Sequence, residues 1–309
     1  MSEFQKQVHA ALKTVPGFEQ LSTDDYRFER LSGLTNLVFR IDTDTDRFVL
    51  RIPGKGTEEY IDRKVEIHNA RVAASAGVSA EVIYADTKSG IMFSRYIDDC
   101  VTMTPEEFSR REGSAARAGV ALRKMHDCSE SFEFRFELFS MIDDYLGILD
   151  ERKAELPQGY SEVVQSAQPV REALDRNPMP LAPCHCDPLC ENFLDTGERM
   201  WIVDWEYSGM NDPMWDLGDL SVEAEFTPDQ DSELMRAYCG GEPSASQMGR
   251  MMIYKAMCDL LWTLWGLIQH SDNNPAEDFW AYSMGRFERC KQLMNSAEFD
   301  RYVQAIDSD

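Results

Sequence analysis

Two neighbouring stretches concentrate side chains that can handle phosphate and metal: His185-Cys-Asp187-Pro-Leu-Cys-Glu-Asn192, then Trp201-Ile-Val-Asp204-Trp-Glu206-Tyr207. The first has the pattern H-x-D-x-x-x-x-N and precedes a short strand; a second apolar strand then ends in Asp204. Phosphoryl transfer needs a carboxylate that orients the attacking hydroxyl and accepts its proton. It also needs an amide oxygen and a second carboxylate to hold Mg²⁺ against the phosphates. A hairpin sets all three at neighbouring strand ends. Asp187 is therefore assigned as the base, Asn192 and Asp204 as metal ligands, and His185 as a hydrogen-bonding brace of the loop. A plain hairpin with ordinary turn Asp and Asn residues is the bland alternative, and H-x-D-x-x-x-x-N alone would not exclude it.

The surrounding chain supplies a frame for such a site. With 309 residues, 43% hydrophobic and 28% charged, it can build two packed lobes or one large domain. Residues 1–20 read as a helix ending near Pro16-Gly17. Runs at 26–31, 37–41 and 48–52 read as a three-stranded antiparallel meander, broken by Ser32-Gly33-Leu34-Thr35-Asn36 and by the turn-forming Asp42-Thr-Asp-Thr-Asp46. Thr57–Ala76 reads as a helix with Gly77 at its C-terminus. Val82–Ala85 and Ile91–Tyr96 complete a small lobe ending near residue 97. Helices are expected at Glu106–His126, Leu138–Glu155, Ser161–Asp175 and from Pro213 onward, interrupted by a β-rich island from Leu181 to Trp205. The expected fold is α+β, with an N-terminal lobe at 1–97 and a larger, mainly helical lobe at 98–309 that carries the catalytic loop and acceptor site.

With these elements in place, the 184–223 segment resembles the motif of aminoglycoside phosphotransferases and choline/ethanolamine kinases, whose fold is protein-kinase-like and two-lobed. Glu206-Tyr207 after the metal-binding Asp, then Trp215-Asp216-Leu217-Gly218 and Glu223, resemble the choline kinase version. The resemblance extends over most of residues 25–290. It implies ATP and Mg²⁺ as cofactors and a small alcohol as acceptor, in phospholipid-precursor metabolism. It puts Arg51 in the position of the ATP-contacting basic residue on the third strand, with Glu66 on the next helix as its ion-pair partner. Gly33, Thr35 and Asn36 fall in the implied nucleotide loop, which has one glycine instead of G-x-G-x-x-G; a plain hairpin turn is the alternative. The strand ending at Tyr96 leads into the implied adenine hinge.

The acceptor is suggested by a second group. Trp262 and Trp265 lie i, i+3 on one helix and share a face; Tyr282 lies on the next. Spacing alone favours core packing, because aromatics on an apolar helix are usually core. The resemblance favours a cage for a quaternary ammonium, which has no hydrogen-bond donor and is held by aromatic faces and a carboxylate such as Glu206 or Glu223. The expected activity is transfer of a phosphoryl group to the hydroxyl of a small cationic amino-alcohol, choline first. Ethanolamine, an aminoglycoside, thiamine or homoserine stand as other acceptors, and a non-catalytic kinase-like nucleotide-binding protein as another class.

Composition narrows the rest. The formal net charge of −24, from 55 acidic and 31 basic residues, argues against a nucleic-acid partner and is compatible with a cationic small molecule. The amphipathic start MSEFQKQVHAALKTV has no apolar core of the secretory type, and the apolar stretch Leu260–Ile268 is too short to span a bilayer. A cytoplasmic location, no membrane partner and reduced thiols are therefore expected. Cys184, His185, Cys186 and Cys190 have zinc-ligand chemistry, but C-H-C-x-x-x-C lacks the usual C-x-x-C spacing, and the cysteines read better as small apolar fillers.

Overall fold

A computed structural model describes residues 2–31, 36–54 and 61–308. The N-terminal part is a five-stranded antiparallel sheet, built from β1 (Arg27–Arg30), β2 (Leu37–Asp42), β3 (Arg47–Ile52), β4 (Val82–Ala85) and β5 (Met92–Arg95) in the order β1-β2-β3-β5-β4. The expected meander is present, with Leu37 opposite Ile52 and Asp42 opposite Arg47. Alternation along β2 and β3 turns Phe39, Ile41, Phe48 and Leu50 to one face. There they pack with Phe93 and with Val8, Leu12 and Val15 from the N-terminal segment that includes α1 (Glu3–Leu12). That helix ends well before Pro16, and Thr14 caps the turn by donating its hydroxyl to the Ala11 carbonyl at 2.7 Å.

Helix α2 (Arg63–Ser75) starts later than Thr57. Asp62 accepts from the backbone N–H groups of Lys64 and Val65 and fixes the start. Residues 57–60 of the expected helix lie outside the described residues. Gly77 follows at φ +69°, the left-handed geometry that ends a helix cleanly. The inner face of α2 (Ala70, Val72, Ala73) joins the larger core of the C-terminal part, so this helix bridges both halves.

The remainder is mainly helical, as expected: α3 (Pro105–Arg110), α4 (Ser114–His126), α5 (Leu138–Glu151), α6 (Tyr160–Ser166), α7 (Gln168–Arg176), α8 (Met214–Glu223), α9 (Pro228–Cys239), α10 (Ala245–Ser271), α11 (Phe279–Met294) and α12 (Phe299–Ala305). Two helices read as continuous are broken. At Gly113 the chain takes φ +74°, and Arg111 and Arg117 on either side of the break both bind Asp195. At Ala167 a new helix begins with Pro169 in its first turn.

The β-rich island holds β7 (Ala182–Cys184), β8 (Phe193–Asp195) and β9 (Met200–Ile202). β10 (Gly209–Asn211), which the sequence did not suggest, pairs with β7. β6 (Val101–Thr102), which follows the small sheet, pairs with β8 before the chain enters α3.

α10 is long and apolar enough to cross a membrane by length and composition, but 83% of its apolar window is buried inside the protein. It is the central core helix. α8 crosses it at Gly218, where a Cβ would come within 2.6 Å of the Met251 carbonyl oxygen. This α+β arrangement, a small antiparallel sheet with one helix followed by a helical body, is the expected architecture.

Candidate active site

The loop after β7 is held by α8. The Asp216 carboxylate accepts the backbone N–H of His185 at 2.6 Å and of Cys186 at 2.8 Å, while His126 Nε2 lies 3.0 Å from it. Trp215 Nε1 donates to the Cys186 carbonyl at 3.1 Å. These bonds hold Cys186 at φ +66°, a conformation a non-glycine residue adopts only when its surroundings impose it. His185 Nε2 donates to the Val203 carbonyl at 2.9 Å, and Nδ1 accepts from Asp187 N at 3.3 Å. That pattern needs one proton on the ring, and burial lowers the pKa in agreement. His185 thus ties the loop to the segment that carries Asp204.

Asp187 is half-buried. Burial, then the carboxylates of Asp204 and Glu223, push its carboxyl up to about 8, with Arg286 as the opposing charge. Asn192 Nδ2 donates to the Asp187 carbonyl at 3.0 Å, and the Asn192 carbonyl accepts from Val203 N at 2.9 Å. Asp187, Asn192 and the approach to Asp204 are thereby joined by direct bonds. Asp204 sits at φ +67°, which an Asp tolerates better than most residues.

Toward the small sheet, Arg51 on β3 is nine-tenths buried and pairs closely with Glu66 on α2. The same guanidinium lies 3.4 Å from Glu206 and 3.9 Å from Asp204. Arg63, which sequence reasoning did not single out, contacts Glu66 at 2.8 Å and Glu206 at 2.5 Å. The result is an alternating ring of Arg51, Glu66, Arg63 and Glu206. The Arg51–Glu66 pair of this ring is the expected one; the only sequence signal for Arg63 was Arg63-x-x-Glu66 on one helix turn.

Glu206, expected as an acid for a cationic acceptor, is engaged here with the two arginines. Asn36 is buried, and its side-chain oxygen accepts from Gly54 N at 3.3 Å. Gly33 and Thr35 lie outside the described residues.

Carboxylate oxygens of Glu66, Asp204 and Glu206 lie within 4.8 Å of one another. The surrounding protein partly desolvates the Asp204 carboxyl although one face stays open to solvent, and this together with the neighbouring Glu206 raises its pKa in spite of Arg51. Glu66 and Glu206 are already paired with arginines, so Asp204 is the carboxylate of this set left to offer hard oxygen to a magnesium ion. Asn192 Oδ1 and the exposed Asp204 carboxylate are the residues that would hold it.

A second group of expected residues is aromatic. Trp262 and Trp265 on α10 have centroids 6.4 Å apart; Tyr207 is 5.7 Å from Trp262, and Tyr282 on α11 is 5.8 Å from Trp265. Trp265 Nε1 donates to the Tyr207 hydroxyl at 3.2 Å. Phe279, missed in the sequence, closes the set at 5.6 Å from Trp265. The Tyr282 phenol is pushed up by burial and then by the charges of Glu223, Asp187 and Asp219, against the opposing charge of Arg286. Arg286 lies 4.5 Å from that ring's centroid. Glu223 is not free: Arg286 grips it at 2.6 and 3.0 Å, and Arg289 reaches it at 3.3 Å.

The cysteines are all free thiols. Burial pushes the thiols of Cys184 and Cys186 well up, which disfavours the thiolate a zinc site needs. Cys184 does approach His126 and Asp216, but that imidazole and carboxylate already serve the loop brace.

Residues 28–247 match the family model described as phosphotransferase enzyme family. A crystal structure of a choline/ethanolamine kinase family protein from Mesorhizobium loti is 57% identical and superposes with a TM-score of 0.90, covering 98% of this chain and 99% of that one. The crystal structure of choline kinase LicA from Streptococcus pneumoniae, at 24% identity, superposes with a TM-score of 0.77 over 95% of this chain and 99% of that one. Among sequences, Protein LicA of Haemophilus influenzae is 26% identical over 284 residues, 90% of this chain and 82% of its own length.

Proposed function

Since the chain belongs to the choline/ethanolamine kinase family of phosphotransferases, we propose that it moves the γ-phosphoryl group of ATP to the hydroxyl of a small cationic amino-alcohol, choline first. The observation that supports this reading is the position of Asp187. Its carboxyl feels Asp204, from the Arg51 cluster, and Glu223 and Arg286, from the aromatic group. A hydroxyl presented to Asp187 would be flanked by phosphate-binding charge on one side and aromatic faces on the other.

Each residue then has a defined task. Arg51, fixed by Glu66, offers its remaining N–H groups to phosphate oxygens; its buried Nε and Nη2 have no hydrogen-bond partner among the described residues. Asn192 and Asp204 would hold Mg²⁺, which supplies charge neutralisation of the phosphates. The cationic head rests against Tyr207, Trp262, Trp265 and Tyr282. Asp187 orients the acceptor hydroxyl and takes its proton as the oxygen–phosphorus bond forms, leaving ADP and a phosphomonoester.

The test is ADP release by the purified protein with Mg²⁺·ATP and a panel of choline, ethanolamine, an aminoglycoside, thiamine and homoserine. Turnover with choline at the highest kcat/KM is expected. Preference for ethanolamine would keep the family chemistry and change the acceptor. No turnover with any alcohol, alongside Mg²⁺-independent nucleotide binding, would refute the catalytic reading.

A further inference from the structure

On α8 three acids follow one another at helical spacing: Asp216, Asp219 and Glu223. Two are fully accounted for. Asp216 takes two backbone N–H groups and His126. Glu223 takes two arginines.

Asp219 is different. It is 1% exposed, and its hydrogen bond in the described structure is one long contact from Trp262 Nε1 at 3.3 Å. Its neighbours are acids: Glu223 and Asp187 both oppose its ionisation, and Arg286 acts on it only through space, having paired with Glu223 and Asp259. A structural acid at this depth normally comes with a cation at contact distance, as Asp259 does with Arg289 at 2.7 Å. The indole that binds Asp219 belongs to the aromatic group, and the Tyr282 ring lies within the influence of Asp219 and Asp187 alike.

We infer that Asp219 is the specificity-determining carboxylate of the acceptor site, the counter-charge for the substrate's ammonium head, and that Glu223 is held in a structural ion-pair network. The inference deepens the acceptor reading above and rests on it. The charge of Asp219 is stabilised when the cation arrives, and Trp262 orients it toward the group of rings. The sequence pointed to Glu206 and Glu223 because they follow the metal-binding segment at familiar distances; their arginine partners reassign both.

The experiment compares choline, ethanolamine and the neutral isostere of choline, in which carbon replaces nitrogen, as acceptors for the wild type and for Asp219→Asn. The amide keeps the shape and can still accept from Trp262. For the variant, the ratio of kcat/KM for choline over the neutral isostere is expected to fall by about 30-fold or more, through KM for the cation. The KM for ATP should stay within about threefold, since Asp219 is not in the Arg51 ring. The thermal midpoint should be unchanged or higher, because a crowded buried acid has been removed; a merely structural acid would lower it.

If wild type uses choline or ethanolamine and D219N keeps the same charged-over-neutral ratio, the acceptor reading stands and the Asp219 assignment falls. If wild type phosphorylates neither cation, both are overturned. Recovery of D219N only as unfolded chain would make the carboxylate structural and would also overturn the assignment.

Discussion

Replacing Glu66 by Gln tests the ring that holds Arg51. Glu66 is 1% exposed and serves two guanidinium groups, Arg51 in close contact and Arg63 at 2.8 Å. At an effective dielectric constant of about 20, a charge pair at 2.8 Å attracts by roughly 6 kcal/mol before any desolvation is counted. The substitution leaves two buried cations facing Glu206 alone within the ring. Breaking a buried pair in this way costs about 3–5 kcal/mol. Asp204, 3.9 Å from Arg51, offsets part of the excess, so the low end, about 3 kcal/mol, is expected. That is a large share of the roughly 5–15 kcal/mol that stabilises an ordinary fold.

Urea unfolding at pH 7, monitored by tryptophan fluorescence, should show the midpoint falling with little change in slope. Initial rates should show KM for ATP rising, because Arg51 is no longer held toward the nucleotide. The double variant Arg63→Met/Glu66→Gln removes one cation together with the acid and should recover at least about 1 kcal/mol of the loss. A loss below about 1 kcal/mol, or no recovery in the double variant, would mean that Glu66 and Arg63 are not energetically coupled, and the ring argument would fail.

Three further outcomes follow from named contacts. Asp187→Asn should lower kcat by about 10²–10⁴-fold while nucleotide binding, measured by calorimetry, stays within about threefold; normal turnover would remove Asp187 from the base role. Gly266→Ala should raise KM for the acceptor far more than for ATP. A Cβ there would meet Ser283 Oγ and come within 2.6 Å of the Tyr282 ring, pushing α11 and that ring outward; unchanged acceptor KM would mean that Tyr282 does not contact the acceptor. Asp195→Asn should destabilise by about 2 kcal/mol at pH 7, because Arg111 and Arg117 hold the Asp195 carboxyl down to about 2. The folded pKa lies below the unfolded value of 3.8, so this stabilisation is present above pH 4 and is lost as pH falls toward 2. The wild-type and variant unfolding curves should therefore converge in that window, and a difference that persists at pH 2 would refute the assignment.

What the sequence made legible, and what it did not, follows from the range of each interaction. Asp187 and Asn192 lead into one short hairpin and Asp204 follows it, so local chain geometry relates them and their spacing is readable. The Trp262–Trp265 pair is likewise local to one helix. The arginine partners of Glu206 and Glu223 are not local: Arg63 is 143 positions from Glu206, and Arg286 is 63 from Glu223. No spacing rule announces such pairs.

Glu206 and Tyr207 are adjacent in sequence, yet one reaches the arginine ring and the other the tryptophans, because successive residues of an irregular segment face different ways. The break at Gly113 was hidden for the same kind of reason. Asp195, some 80 residues away, draws in Arg111 and Arg117 from either side of it. β10, a Gly-Met-Asn triplet, has no apolar alternation to mark it and forms because β7 is there to pair with.

On the proposed reading, the charge arrangement is what lets one site serve both substrates. Near Asp187 the protein places Asp204 on one side and Asp219 and Glu223 on the other, while the nearby arginines are already paired with acids. The protein's own groups here are therefore short of positive charge, as the raised pKa values of Asp187, Asp204 and Asp219 all indicate. A cationic alcohol and a metal-bound nucleotide correct that shortage from opposite ends, and each makes the carboxylates between them easier to ionise. A neutral alcohol would supply only its hydroxyl and leave Asp219 unpaired. Discrimination against neutral acceptors then follows from the electrostatics of the acids, and the aromatic rings add preference among cations by shape.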